Sequence, residues 1–218
     1  LNFGNPEKPE IFWQLEQAIS GMSEACNFLE LPVTGGNVSL HNETEGEAIY
    51  PTPIVGVVGL IENNAHTTSQ FFKNNGDLLL LLGDTKNELG GSSYQQMQLG
   101  KITGIPPELD LKKERTLQKT LLEIIRSGVV ISAHDLSQGG LALALLTSCT
   151  DDLGIIVDWK IDLRPDIALF SESQSRILLS VTQENAEIVE TSMRQKGVPC
   201  FRIGKVLSAG TFAVRSFE

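Results

Sequence analysis

The spacing of apolar residues divides the chain into alternating helical and extended stretches. Pro9 sits where a helix begins. From there Ile11, Phe12, Leu15, Ile19, Met22, Cys26 and Leu29 recur at three- and four-residue intervals. That spacing predicts an amphipathic helix over 10–29, its apolar stripe packed into a core. Residues 31–33 form a short apolar approach to Gly35-Gly36, 38–40 a brief strand, and 41–46 a polar turn. The β-branched run 54–61, broken by Gly56 and Gly59, predicts a buried strand with close backbone neighbours.

Residues 62–76 are polar and irregular, with Asn63-Asn64 and Asn74-Asn75-Gly76, and they mark a boundary. The division expected is a first domain over 1–64, a linker over 65–76 and a second domain over 77–218. The second domain opens on a strand at 77–82. Helices are predicted at 94–99, 110–127, 141–148 and 184–196, the last closed by Gly197. Strands are predicted at 129–133, 154–157, 177–181, 200–206 and 211–214, with a short helical or loop element at 163–167. Strands alternating with helices place the fold in the α/β (α+β) class. At the junction before the helix over 141–148, Asp135 or Ser137 is the expected N-cap, and Gly139-Gly140 permits close packing. The same helix end would also suit an anion.

Composition narrows the partners. The chain has 218 residues, 41% of them apolar, enough for a real core, and a formal net charge of −10. So acidic a balance argues against a nucleic-acid partner and against docking on anionic membrane. It leaves room for a nucleotide site in which a metal brings the positive charge. Cys26, Cys149 and Cys200 are far apart and suggest neither a disulfide framework nor zinc, so reduced core thiols in a cytoplasmic protein are expected. His41, His66 and His134 are equally scattered. No 18-residue apolar run is present. The opening Leu1-Asn2-Phe3-Gly4-Asn5-Pro6 reads as a loop from the middle of a longer protein.

The stretch with most chemical promise is Pro32-Val33-Thr34-Gly35-Gly36-Asn37-Val38-Ser39-Leu40. A glycine pair allows positive φ and a close ligand approach. If the following residues are extended, Asn37 and Ser39 share a face. An amide oxygen and a hydroxyl beside bare backbone would cradle phosphate oxygens and a hard cation. The same residues equally suit a glycine turn opening a strand. Glu43, Glu45 and Glu47 would hold a cation if extended together, or form a solvated acidic loop.

Several segments in order carry a resemblance. Leu1-Asn2-Phe3-Gly4-Asn5-Pro6-Glu7, Gly35-Gly36-Asn37-Val38-Ser39, Tyr50-Pro51-Thr52-Pro53, Glu88-Leu89-Gly90-Gly91-Ser92, His134-Asp135-Leu136-Ser137-Gln138-Gly139-Gly140 and Phe170-Ser171-Glu172-Ser173 span nearly the whole chain. Together they resemble the C-terminal part of the phosphoribosylformylglycinamidine synthase family, synthetase subunit of the small type, within the aminoimidazole ribonucleotide synthetase-like superfamily. The resemblance implies part of an N-terminal-type, ATP-binding domain followed by a complete C-terminal-type α/β domain. It implies an ATP- and Mg2+-dependent C–N ligase that converts formylglycinamide ribonucleotide to its amidine. A glutaminase subunit would supply ammonia, and a small subunit would assist assembly. Carried over residue by residue, Gly36 matches a nucleotide contact, Asn37 a magnesium ligand and Ser39 a substrate contact.

The departures are large. The family's catalytic histidine, main magnesium carboxylates and ATP lysine belong to a half that this sequence lacks, as does an acid just before the Leu-Asn-Phe-Gly motif. His134 does not match that histidine. No catalytic residue is therefore assigned, and the chain alone is expected to be inactive and able to self-associate. The competing readings are a nucleotide-binding or scaffold module of the same fold without chemistry, and another enzyme of the superfamily. The opening motif disfavours the latter.

Overall fold

The computed structural model describes residues 1–208 and 210–215, which divide into two compact units, Leu1–Leu60 and Ile61–Glu218. In the first unit helix α1 runs over Pro9–Leu29, with proline in its first turn, and ends where Glu30 turns left-handed. A two-stranded hairpin follows, β1 at Glu43–Thr44 and β2 at Glu47–Ala48. The unit is tied together at the chain's opening. Asn2 exchanges backbone hydrogen bonds with Thr52, both 3.0 Å, while Phe3 donates to the Ser39 carbonyl at 3.0 Å. Phe3 and Ile11 are buried, and Gly4 packs so closely on Ala48 that a side chain there would collide with it.

Two expectations for this unit fail. The run over 54–61 is neither buried nor paired: Val58 is 99% exposed and Leu60 88%. A β-branched run makes a buried strand only when neighbours take its backbone groups and cover its side chains, and the described residues offer none. For the same reason α1 buries only Ile11, while Phe12, Trp13 and Ile19 are exposed.

The second unit is built on β3, Leu78–Leu82, five consecutive leucines. Strand side chains alternate in direction, so Leu79 and Leu81 face one core and Leu80 and Leu82 another. The remaining elements are α2 (Ser93–Leu99), α3 (Leu111–Arg126), β4 (Val130–Asp135), α4 (Gly140–Ser148), β5 (Leu153–Val157), α5 (Pro165–Phe170), β6 (Ile177–Val181), α6 (Ala186–Gln195), β7 (Cys200–Ser208) and β8 (Phe212–Val214). The sheet order is β4-β6-β3-β7-β5-β8. β3 lies antiparallel to both neighbours, and β8 joins β5 in parallel. Leu141, Ala144 and Leu145 of α4 and Ala168 of α5 cover one face. Leu117 and Ile124 of α3 and Ala186, Val189 and Met193 of α6 cover the other. The result is an α/β sandwich with a mixed sheet as its middle layer. A bulge between Leu79 and Leu80 shifts the register against β7.

These contrasts predict uneven protection. Amides of Leu79–Leu82 should be among the slowest in hydrogen exchange followed by mass spectrometry, and those over 54–61 should exchange at rates near an unfolded peptide. Equal protection of the two segments in dilute solution would contradict the unpaired state of the second.

Candidate functional site

The three residues expected to form a site lie on one strip of the first unit. Gly36 and Asn37 are exposed, and Ser39 is half-buried. Neither Gly35 nor Gly36 takes positive φ, so the pair does not serve as a tight turn here. What Gly36 offers is open backbone: no other atom lies within 4 Å of where a β-carbon would stand. The Asn37 carbonyl accepts from the Leu1 nitrogen at 2.8 Å, and its side chain remains without a hydrogen-bond partner among the described residues. Regular pairing reaches the strip only at Ser39, which bridges to Asn2.

Ser39 is held by a residue that the sequence reading overlooked. Its hydroxyl donates to the Asn42 side-chain oxygen at 3.2 Å. The Asn42 amide donates in turn to the carbonyls of Phe3 (3.0 Å) and Ser39 (2.9 Å). Asn42 thus fixes the strip against the chain's opening. The intervening His41 at φ 60 makes this turn possible, a backbone state that costs a non-glycine residue about 1 kcal/mol. The acidic trio does not gather: Lys8 pairs with Glu43 at 3.1 Å, and Glu45 and Glu47 stay exposed. Among the described residues no group of three or more His, Cys, Asp or Glu could hold a metal ion.

In the second unit the two glycine-bearing motifs, at 88–92 and 134–140, converge on the segment 170–176. Oε1 of Glu172 accepts from the backbone N–H of Ser93, at the start of α2, and of Gly139, at the start of α4, each at 2.9 Å. This corrects the expected cap: neither Asp135 nor Ser137 caps α4 with its side chain. Gly139, left-handed at φ 78, takes the N-cap position without a side-chain bond of its own. A remote carboxylate satisfies the orphan N–H instead. Gly140, at φ +60, packs against the Ser171 carbonyl oxygen, which a β-carbon would strike. The Ser171 hydroxyl is within reach of the carbonyls of Lys86 (2.8 Å) and Glu88 (3.1 Å). Tyr94 stacks on Phe170 with ring centroids 4.5 Å apart.

Arg176 locks this strap from beneath. It is only 2% exposed, yet among the described residues no carboxylate forms an ion pair with it. Its guanidinium donates to the carbonyls of Ser173 (3.0 Å) and Ser171 and to the Thr85 hydroxyl (3.0 Å). Burial pulls its pKa down to about 10, against the opposing fields of Glu88 and Glu172, so it stays protonated at neutral pH. Glu88 accepts the Glu108 N–H through Oε1 at 3.2 Å, and its buried Oε2 has no partner among the described residues. Hints of the strap stood in the sequence. Arginine immediately precedes an apolar strand, and an acid lies between two serines in a segment rich in small polar residues.

Because Glu172 serves two helix ends at once, Glu172→Ala should destabilise the second unit by about 2 kcal/mol. Glu172→Gln keeps an acceptor oxygen and should recover more than half of the loss. Urea unfolding checks both, and an unchanged midpoint for Glu172→Ala would remove the carboxylate from the structural role.

No helix among the described residues is long and apolar enough to cross a membrane. Residues 1–61 match the family "AIR synthase related protein, N-terminal domain", and residues 74–216 match "AIR synthase related protein, C-terminal domain". Among solved structures, phosphoribosylformylglycinamidine synthase II from Thermotoga maritima superposes with a TM-score of 0.71 at 16% identity. That match covers 98% of this chain and 34% of that one. T. maritima PurL complexed with FGAR gives 0.70 at 19% identity, covering 89% and 34%. Escherichia coli HypE, a hydrogenase maturation protein, gives 0.51 at 18% identity, covering 69% and 49%. The chain thus spans about a third of the length of the PurL structures. At these identities the likeness speaks for the fold, while the domain matches, in order and over most of the sequence, carry the assignment: the chain belongs to the AIR synthase related protein family.

Proposed function

We propose that this chain is the C-terminal part of a phosphoribosylformylglycinamidine synthase of the small type. This ATP-dependent, amidine-forming ligase of purine biosynthesis would act in the cytoplasm. The observation that supports the reading most is the order of six sequence segments, from the Asn2-Phe3-Gly4 opening to Phe170-Ser171-Glu172-Ser173, across the two matched domains. PurL structures named as complexes with ATP and with FGAR share the fold. One titled PurLQS supports partner subunits, here a glutaminase and a small assembly subunit. The domain limits proposed are 1–64 and 77–218, with 65–76 as linker.

The proposed reaction transfers the terminal phosphoryl group of ATP to the amide oxygen of formylglycinamide ribonucleotide. Ammonia then adds at the activated carbon and phosphate leaves. This chain's residues bind and orient. Gly36 presents backbone with nothing near its β-position, so a nucleotide phosphate can approach closely. Asn37 holds an exposed amide whose oxygen suits a hard cation. One neutral oxygen is a partial donor set, so the other ligands would be phosphate oxygens, water and residues beyond this chain. Magnesium, when bound, offsets charge developing on the transferred group. Ser39 donates its proton to Asn42 and keeps its lone pairs for a hydrogen of the ribonucleotide. None of these groups moves a proton in the reaction.

Two outcomes test this. First, the 218-residue chain should release no phosphate with ribonucleotide, ATP, magnesium and ammonia, because the acid–base groups are not among its residues. Release above a no-protein control, abolished by Asn37→Ala, would overturn that. Second, in the full-length enzyme Asn37→Ala should lower turnover on the order of 10²-fold, by analogy with loss of one preorganised donor. Gly36→Val should block ATP binding first, and the open space around Gly36 means the fold itself tolerates it. Ser39→Ala should raise KM for the ribonucleotide and spare that for ATP. Steady-state kinetics with each substrate varied in turn separates the three. Wild-type values for Asn37→Ala across a magnesium titration would return the strip to a structural turn.

A further inference from the structure

The second unit contains a cavity that none of the functional assignments above uses. It lies at the carboxyl end of the central strand β3, where Gly83 leaves the sheet. The loops that precede β6 and β7 and the first turns of α3 close around it. Its volume is about 240 Å3, below the usual range for whole drug-sized ligands and ample for a phosphoryl group with a small carbon skeleton. Leu117, Val198 and Pro199 give it an apolar wall.

Charge sets this cavity apart from the rest of the chain. The protein carries ten more acidic than basic side chains, yet four lysines line this one space: Lys86, Lys112, Lys113 and Lys196. Three acids also line it, and two of them are already engaged. Glu108 lies 3.5 Å from the Lys86 ammonium, which Glu88 also approaches at 3.8 Å. Asp110 caps α3, accepting the backbone N–H groups of Lys112 (2.9 Å) and Lys113 (3.1 Å). Those bonds hold its carboxyl below the usual range. Among the described residues the ammonium groups of Lys112, Lys113 and Lys196 form no ion pair, although the fields of Lys112 and Lys113 reach the Asp110 carboxylate, and Asp84 is the third acid of the lining.

The available donors define the ligand. The Thr116 hydroxyl donates to the Lys112 carbonyl and the Ser175 hydroxyl to Glu114. The Gly83, Gly197 and Val198 amides are spent on the carbonyls of Pro199, Arg194 and Met193. Recognition therefore falls to ammonium groups, compact point charges with rotatable donors, and the cavity has no arginine fork of the kind that matches a planar carboxylate. We infer that this cavity is a binding site for a small phosphate ester, its phosphoryl group held by Lys112, Lys113 and Lys196 and its carbon part set against Leu117 and Val198. The cavity is built wholly from residues of the second unit, and the inference stands whether or not the proposed reaction does.

Amide chemical shifts of the whole chain, titrated at low ionic strength with ribose 5-phosphate and separately with inorganic phosphate, test the inference. Both should give saturable shifts at Gly83, Thr116, Ser175 and Gly197. Only the ester should also move the Leu117 and Val198 methyl signals. The triple variant Lys112→Gln, Lys113→Gln, Lys196→Gln should bind both at least about tenfold more weakly. Lys119→Gln, on the same helix and outside the cavity, serves as the control and should bind as wild type. No saturable shift with either probe, shifts elsewhere, equal loss in the control, or unchanged affinity in the triple variant would each overturn the site. Methyl signals that respond equally to both probes would overturn its preference for an ester.

Discussion

Everything in the larger unit depends on covering one strand twice. Leu78–Leu82 presents leucine to both sides of the sheet, and Leu79 through Leu82 are fully buried. Each buried leucine contributes about 2 kcal/mol by removal from water, so neither face can be left wet. An antiparallel sheet often leaves one side to solvent. Here that option is closed by the strand's own composition, and helices must lie on both faces. The pairs α4–α5 and α3–α6 are the answer to that demand. The apolar residues that these helices bury are the counterpart of the leucine run on the strand.

The same constraint explains why the polar machinery gathers where it does. With both faces covered, most side-chain polar groups meet at the strand ends, where loops emerge; the buried Ser132–Ser180 hydroxyl pair, 2.6 Å apart within the sheet, is an exception. The segment 170–176 runs across one such end, and its groups answer one another nearly completely. Glu172 takes two helix N–H groups, Ser171 reaches two carbonyls, and Arg176 spends its guanidinium on carbonyls and a hydroxyl. Direct pairing of Arg176 with a carboxylate would hold that end through one bond type. Distributing its donors over two loops, the segment 170–176 and the one that holds Thr85, instead ties those loops to each other. Replacing the arginine would leave their carbonyls buried without donors, and such orphans cost more than the net worth of the bonds.

How much of this was legible beforehand follows from the range of the interactions. The strands at 77–82, 154–157 and 177–181 and the helix over 110–127 could be read because their signals are local: apolar runs and periodicity. Asp110, read as the first residue of that helix, instead caps α3 with its side chain. The cap of α4 could not be read, because the acid that provides it lies 33 residues away from Gly139. Distance in sequence also hid Asn42 beneath Ser39: its side chain orders the strip by reaching Phe3, 39 residues earlier. The run over 54–61 failed in the opposite sense. Its β-branched composition is a real local signal for strand, yet a strand is a property of a pair. Where pairing is absent, composition alone does not bury Val58.

The fold itself does not choose a reaction. HypE and PurL, proteins with different names and roles, both superpose on this chain, so the choice must rest on side chains that the shared sheet merely positions. In the first unit the ones proposed are few and neutral: an open glycine, an amide without a side-chain partner among the described residues, and a hydroxyl already donating to Asn42. Neutral groups of this kind discriminate by geometry and by the oxygens they present, and they leave charge compensation to a cation or to residues elsewhere. In the second unit charge is present, concentrated as lysine around one cavity of an otherwise acidic chain. An acidic surface repels anions at long range, but within a Debye length of about 10 Å at moderate salt the nearest charges dominate. A phosphate ester entering that cavity would therefore respond to the lysine ammonium groups that line it rather than to the net charge. That is how a strongly acidic protein can retain an anion site without becoming a general anion binder.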